Sequence, residues 1–259
     1  MNINLNKRQK IVITTVLITI GLLSTQLVDF NLRFIFLAGL AILAYVLSLF
    51  SLWEGLNATK AFVLLILPTF FTAAVASFYF LLPVRWLTRL PVATVFGLTF
   101  YLLLLAQNVF NVASLRTIPL YRAASTASFL FTLLSAFFLY HVIFALNLLF
   151  FWNGIIVLLV SFPLILQLLW TIGMEDKISA AVIVQGLILS LILGELALSF
   201  SFWSSSITIK SLSLSSAMYV ILGLTMESLR ARLSRRVAWE YLGIGIAVFF
   251  ISFFLTSWS

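Results

Sequence analysis

Charged residues are scarce in this sequence, and cysteine is absent. Only 8% of the 259 residues are Asp, Glu, Lys or Arg. A soluble globular domain carries about 25% charged residues, so this chain has too few polar groups to cover a surface in water. The absence of cysteine excludes disulfides, thiolate metal sites and cysteine nucleophiles.

Acidic residues and histidine are also few, with seven Asp or Glu residues and a single histidine, His141. Membrane enzymes generally need paired carboxylates, metal ligands or a nucleophile beside a base. The sequence contains no His-Glu-x-x-His motif, no Asp-rich pyrophosphate motif and no Gly-rich phosphate loop. We therefore expect no metal, no cofactor and no identifiable catalytic residue, and the sequence does not favour an enzyme.

The net charge of +8 raises the question of a nucleic-acid partner. No basic segment is long enough to follow a phosphate backbone, so we expect no such partner. In membrane proteins, Lys and Arg collect at the cytoplasmic ends of spans. Membrane lipids are the expected partners, together with a possible membrane-protein partner.

Hydrophobic residues make up 63% of the chain, in runs close to the length of about 20 residues that a span requires. This pattern predicts an all-α polytopic transmembrane helix bundle, forming one integral membrane domain over 1–259 without a separate soluble domain. Polar breaks divide the chain into nine predicted spans, at 11–28, 34–52, 61–82, 91–113, 124–146, 154–172, 178–202, 217–229 and 237–255.

Two boundaries leave eight and ten spans open as alternatives. The apolar run 123–170 would measure roughly 70 Å as one helix, so we divide it at a turn over 147–154. We interpret the Ser-rich segment 203–216 as a loop, although serines can also bond the carbonyls of their own helix.

The distribution of basic residues predicts the orientation of the spans. With the N-terminus inside, eleven of the 15 Lys and Arg residues fall at inner segments and four at outer segments. This bias predicts a cytoplasmic N-terminus and an outer C-terminus.

The segment 107–125 is polar where its surroundings are apolar. Gln107 and Asn111 are four residues apart, and Asn108 and Asn111 are three apart, so all three amides can lie on one side of a helix. Such amides form hydrogen bonds between helices in membranes, each contributing about 0.6–2 kcal/mol.

Two arginines in the same segment, Arg116 and Arg122, flank a turn at Pro119. A residue before proline is pushed into an extended conformation, and Ser125 and Thr126 are candidate caps for the following helix. The turn lies at the predicted inner headgroup level, where phosphate is a natural partner for guanidinium. A role in topology or structure is the alternative.

A second basic cluster contains Arg232, Arg235 and Arg236, which we interpret as fixing topology or as binding anionic lipid headgroups. Glu227 lies three residues before Arg230, and Glu240 lies four residues after Arg236. These spacings are typical of ion pairs on a helix surface.

Two further ionisable residues within predicted spans, His141 and Glu195, are candidates for a function. His141 is either a proton-sensitive group or a neutral histidine that forms hydrogen bonds between helices. Glu195 is the carboxylate deepest in a span, which makes it a functional candidate. Helical rise places both toward the outer side of the membrane.

The run at 108–124, continuing through 129–138, resembles a family of uncharacterised multi-pass bacterial membrane proteins. The resemblance implies a location in the bacterial cytoplasmic membrane. It implies no activity and no functional residues.

Three hypotheses for function follow. The first is a non-catalytic membrane component, such as a partner subunit, that engages lipid or a partner through its inner Arg-rich turns. The second is a transporter or flippase-like protein, for which Pro68 and Pro163 are candidate helix breaks. The third is an enzyme acting on lipid-linked phosphates, with Arg116 and Arg122 holding phosphate. Glu195 or Glu227 would then be the base.

Overall fold

A computed structural model describes residues 6–25, 32–82, 86–113 and 120–256, without the side chains of 86–89 and 113. These residues form nine α-helices: α1 (Lys7–Thr25), α2 (Arg33–Leu52), α3 (Ala58–Tyr79), α4 (Trp86–Ala113), α5 (Tyr121–Ala145), α6 (Phe150–Gly173), α7 (Ala180–Ser201), α8 (Ile207–Leu229) and α9 (Arg235–Phe254). All nine are long and apolar enough to cross a membrane. The predicted all-α class and nine spans are confirmed.

Three predicted helix boundaries are wrong. Helix α8 begins at Ile207, so most of the segment predicted as a Ser-rich loop is helical. There Ser211 donates a hydrogen bond to the carbonyl of Ile207 at 2.7 Å, and such bonds let serine occupy a membrane helix. Helix α6 begins at Phe150, inside the predicted turn, because its aromatic residues continue the helix. Helix α4 begins at Trp86, so Pro91 lies inside it and not in its first turn.

The chain divides into two compact units: Met1–Phe131 with Met174–Lys177, and Thr132–Gly173 with Ile178–Ser259. In the first unit, α3 is extensively buried. Its Phe71 ring stacks on Phe96 at 5.8 Å and meets Phe131 edge-on at 5.6 Å. Aromatic pairs of this kind stabilise a core beyond their buried area.

In the second unit, α6 and α7 pack closely because glycines meet at their crossing. A methyl group added to Gly194 would lie 2.9 Å from the carbonyl oxygen of Gly154, and one added to Gly154 would lie 3.0 Å from the carbonyl oxygen of Gly194. Beside this crossing, Asn153 donates a hydrogen bond to the hydroxyl of Ser201 at 3.0 Å. Small residues at membrane helix contacts are typical of such close approach.

Helix α9 lies at the edge of the second unit and packs on α8. The Tyr241 ring covers Gly223, and Val220 covers Gly245. Ser252 is the one residue of α9 that is buried, and large apolar side chains along the helix are exposed. In a membrane, such a surface is suited to lipid.

Candidate functional site

The segment 230–236, which we call the arginine turn, connects α8 to α9. It begins with Arg230, which forms a half-buried ion pair with Glu227 at 3.3 Å. Ala231 then adopts a left-handed conformation with φ of 54°, which reverses the chain. Ser234 caps α9 by accepting a hydrogen bond from the amide of Val237 at 3.3 Å. The cap fixes the start of α9, whose first two residues are Arg235 and Arg236.

Three guanidinium groups of the arginine turn are exposed, those of Arg232, Arg235 and Arg236. Arg236 pairs with Glu240 at 3.4 Å, as the spacing predicted, but the two side chains are 90% and 62% exposed, and such a pair stabilises little. Arg232 and Arg235 have no ion pair or side-chain hydrogen bond with any residue that the structure describes. The turn therefore presents cationic donors to its surroundings.

Of the two arginines predicted around Pro119, Arg116 lies outside the described residues. Arg122 is in the first turn of α5, and its side chain is exposed. The helix begins at Tyr121, so Ser125 and Thr126 lie inside it and do not cap its start. Thr126 instead donates a hydrogen bond to the carbonyl of Arg122 at 3.1 Å.

The predicted amide cluster of α4 is split between buried and half-buried positions. Asn111 is buried and donates two hydrogen bonds, to the carbonyl of Leu52 at 3.0 Å and to the carbonyl of Glu54 at 2.9 Å. Gln107 is also buried, whereas Asn108 is half-buried. The expected hydrogen bond between spans is present at Asn111, whose side chain connects the end of α4 to the end of α2 and the loop that follows it.

An ion pair and a hydrogen bond connect the same loop to the start of α1. Lys10 forms an ion pair with the Glu54 carboxylate at 2.9 Å, and Lys7 donates to the Glu54 carbonyl at 3.3 Å. The hydrogen bond and charge of Lys10 hold the pKa of Glu54 below its usual range. The start of α1, the α2–α3 loop and the end of α4 therefore meet at one side, as alternating spans require.

His141 lies in the second unit, where its Nε2 is 3.4 Å from the hydroxyl of Thr208 at the start of α8. The preceding residue, Tyr140, is fully buried, and its hydroxyl lies 2.6 Å from that of Ser161 and 3.4 Å from the sulfur of Met218. This junction joins α5, α6 and α8. It was missed in the sequence because an isolated tyrosine and serine in apolar runs give no motif.

Glu195 projects from the exposed surface of α7. Its carboxylate has no hydrogen bond or ion pair with the residues described, while its backbone carbonyl accepts a bond from Ser199 at 2.9 Å. The structure therefore does not join Glu195 to His141 or to another titratable side chain among those residues. Pro68 and Pro163, the candidate transporter breaks, lie within uninterrupted helices α3 and α6.

The helices and their lipid-suited surfaces define a multi-pass integral membrane protein. The chain belongs to a family described as proteins of unknown function, DUF5656, whose model matches residues 13–255. The predicted resemblance to a family without assigned function is thus confirmed and extends well beyond 108–138. No curated protein and no solved structure matches the chain.

Proposed function

We propose that this protein is a non-catalytic membrane component that binds anionic lipid headgroups at the arginine turn. The observation that carries the proposal is the exposure of Arg232, Arg235 and Arg236 at the junction of two membrane-spanning helices. Guanidinium groups bind phosphate oxygens through charged hydrogen bonds, often two at a time. Each basic residue near an anionic surface contributes about 1 kcal/mol to membrane attraction.

The residues around these arginines support a position at the membrane interface. Trp239, one turn into α9, is 69% exposed, and Leu233 within the turn is also exposed. Tryptophan is enriched where hydrocarbon meets headgroups, because its ring is apolar and its N–H is polar. A turn with an exposed indole, an exposed leucine and several arginines fits the boundary between acyl chains and phosphates.

We place the protein in the cytoplasmic membrane of a bacterium, with its N-terminus and the arginine turn on the cytoplasmic side. The distribution of Lys and Arg supports this orientation. The cytoplasmic leaflet carries negatively charged lipids, whose surface potential attracts basic segments beside a span. An acidic surface on a membrane-protein partner offers the same chemistry, and the experiment below distinguishes it from lipid.

The test is to isolate the full chain from its native membrane in lipid nanodiscs and identify the lipids and proteins that co-purify by mass spectrometry. We expect anionic lipids to be enriched relative to the bulk membrane, and the triple variant R232Q/R235Q/R236Q to lose that enrichment. Lys177→Gln is the matched control, because Lys177 is exposed in a loop beside Glu175 and Asp176.

Two outcomes would contradict the proposal, one concerning lipid selection and the other a protein partner. Equal lipid composition in the wild type and the triple variant would show that the arginine turn does not select lipids. A protein that co-purifies with the wild type and is lost from the triple variant, with lipid composition unchanged, would replace lipid with a protein partner.

A further inference from the structure

A groove formed by α7, α8 and α9 lies in the second unit, away from the arginine turn. Its volume is about 550 Å³, within the range of about 300–1,000 Å³ that small-molecule sites occupy. Its walls are mainly apolar, with Phe200 from α7, Val220 from α8, and Ile246 and Phe249 from α9. A groove of this composition on membrane-spanning helices suits a hydrocarbon chain.

Two of the residues that line the groove are polar, Ser213 and Ser216, and Lys210 precedes them on α8 without lining the groove itself. Lys210 lies near the start of the helix, and Ser213 and Ser216 follow at steps of three residues, which places all three on one face. Each step corresponds to about 4.5 Å along the axis. Ala217 and Val220 continue the same face as apolar lining.

These polar groups lack partners in the part of the chain that the structure describes. Ser213 is 5% exposed, and neither its hydroxyl nor that of Ser216 has a hydrogen-bond partner there. Lys210 is half-buried and has no ion pair or side-chain hydrogen bond with those residues. A buried hydroxyl without a partner carries a desolvation cost, which a ligand acceptor would relieve.

The end of the groove that lies nearest the start of α8 has the character of a membrane interface. Trp203 lies in the loop that precedes α8, and its ring is 5.6 Å from Phe200 and 6.2 Å from Phe249. Tryptophan is enriched at headgroup depth. Lys210 is one turn into α8 and three residues before Ser213, so we expect its ammonium at headgroup depth and the serines deeper.

We propose that this groove binds one phospholipid from the leaflet at the Lys210 end of α8. The order of cation, hydroxyl donors and apolar wall matches the order of phosphate, ester carbonyl and acyl chain in that lipid. A water-soluble anion would leave the apolar walls uncovered, and a simple hydrocarbon would leave Ser213 and Lys210 without partners. The site is independent of the proposed function, because the arginine turn lies at the opposite end of α8.

The test uses the full chain in nanodiscs that contain phosphatidylglycerol with a photoactivatable group on one acyl chain. After irradiation, mass spectrometry locates the labelled peptides. We expect labelling concentrated at 213–221 and 242–250. Ile246→Trp fills the groove and displaces about two methylenes of the chain, which lowers apparent affinity about tenfold.

Ile244→Trp is the matched control, since Ile244 is 49% exposed and Ile246 is 48% exposed on the same helix, but Ile244 does not line the groove. Lys210→Gln removes the phosphate contact and is expected to weaken lipid binding about fivefold. Equal labelling of the two tryptophan variants, both monodisperse, would overturn the site. An unchanged affinity in Lys210→Gln would overturn the phosphate contact and with it the phospholipid assignment.

The triple variant R232Q/R235Q/R236Q separates this proposal from the proposed function. Labelling of the groove is expected to remain at the wild-type level when those arginines are replaced. Loss of groove labelling in the triple variant would show that the lipid is held by the arginine turn and would overturn an independent groove site.

Discussion

Replacing Asn111 with alanine tests whether the polar segment of α4 acts by fastening the α2–α3 loop. The substitution removes both hydrogen bonds that its side-chain amide donates, to the carbonyls of Leu52 and Glu54. The loop then loses these two hydrogen bonds to α4 and keeps its contacts with α1. We expect the first unit to be destabilised and the loop to exchange its amide hydrogens faster.

The loss in free energy of unfolding depends on the two carbonyls that Asn111 leaves without its hydrogen bonds. A typical hydrogen bond contributes about 1 kcal/mol net, and leaving a buried carbonyl unpaired costs about 1–3 kcal/mol. The bond to Leu52 is buried, whereas the Glu54 carbonyl also accepts a hydrogen bond from Lys7. Only the Leu52 carbonyl is left buried without this hydrogen bond and without a second donor among the residues that the structure describes. We therefore expect the free energy of unfolding to fall by about 2–3 kcal/mol.

The assay is unfolding of the purified chain in mixed micelles with increasing denaturing detergent, combined with hydrogen exchange at 52–58. Asn108→Ala is the matched control, because Asn108 is half-buried and lies three residues earlier on the same helix. That control is expected to change the free energy of unfolding by about 0.5 kcal/mol or less. Equal losses in the two variants, or unchanged exchange at the loop in Asn111→Ala, would refute the assigned role of Asn111.

Three further predictions concern helix packing and the charged loop. Gly194→Ala forces a methyl group against a backbone carbonyl of α6, so we expect the free energy of unfolding to fall by about 1–3 kcal/mol. In the control Gly39→Ala the added methyl group meets no neighbour, and we expect a neutral or stabilising effect in the same unfolding assay. Tyr140→Phe removes a buried hydroxyl contact and is expected to cost about 1 kcal/mol, and an unchanged unfolding midpoint would contradict that contact. Because the pKa of Glu54 is lowered, its pairing with Lys10 stabilises the protein fully at pH values above the ordinary carboxylate pKa. This stabilisation is lost as the pH falls through the lowered pKa of Glu54. An NMR titration that shows Glu54 with its ordinary pKa would contradict the pairing.

Much of the fold could be predicted from the sequence, because membrane spans require long apolar runs. The wrong helix boundaries occur where one residue type is common both in loops and in membrane helices. Serine is common in loops of soluble proteins, yet inside α8 Ser211 bonds its own helix, so the serines at 207–216 belong to the span and not to the loop before it. The aromatic residues that begin α6 predict an interfacial turn from the sequence alone, because Trp and Phe occur both in such turns and in membrane helices.

The candidate site was only partly predictable, since contacts across the chain have no local pattern. The buried amide at Asn111 was expected to bond another element, but nothing near it identifies Leu52 and Glu54 as its acceptors. Spacing predicted the pairs of Arg230 and Arg236 with glutamates, because both partners lie on one helix surface.

Selectivity for anionic lipid at the arginine turn is the central claim, and one affinity ratio tests it most directly. Native mass spectrometry of the detergent-purified chain would measure binding of phosphatidylglycerol relative to phosphatidylcholine, for the wild type and R232Q/R235Q/R236Q. Three basic contacts of about 1 kcal/mol each predict that the ratio falls about 100-fold in the triple variant. A ratio that is the same in both proteins would contradict the claim.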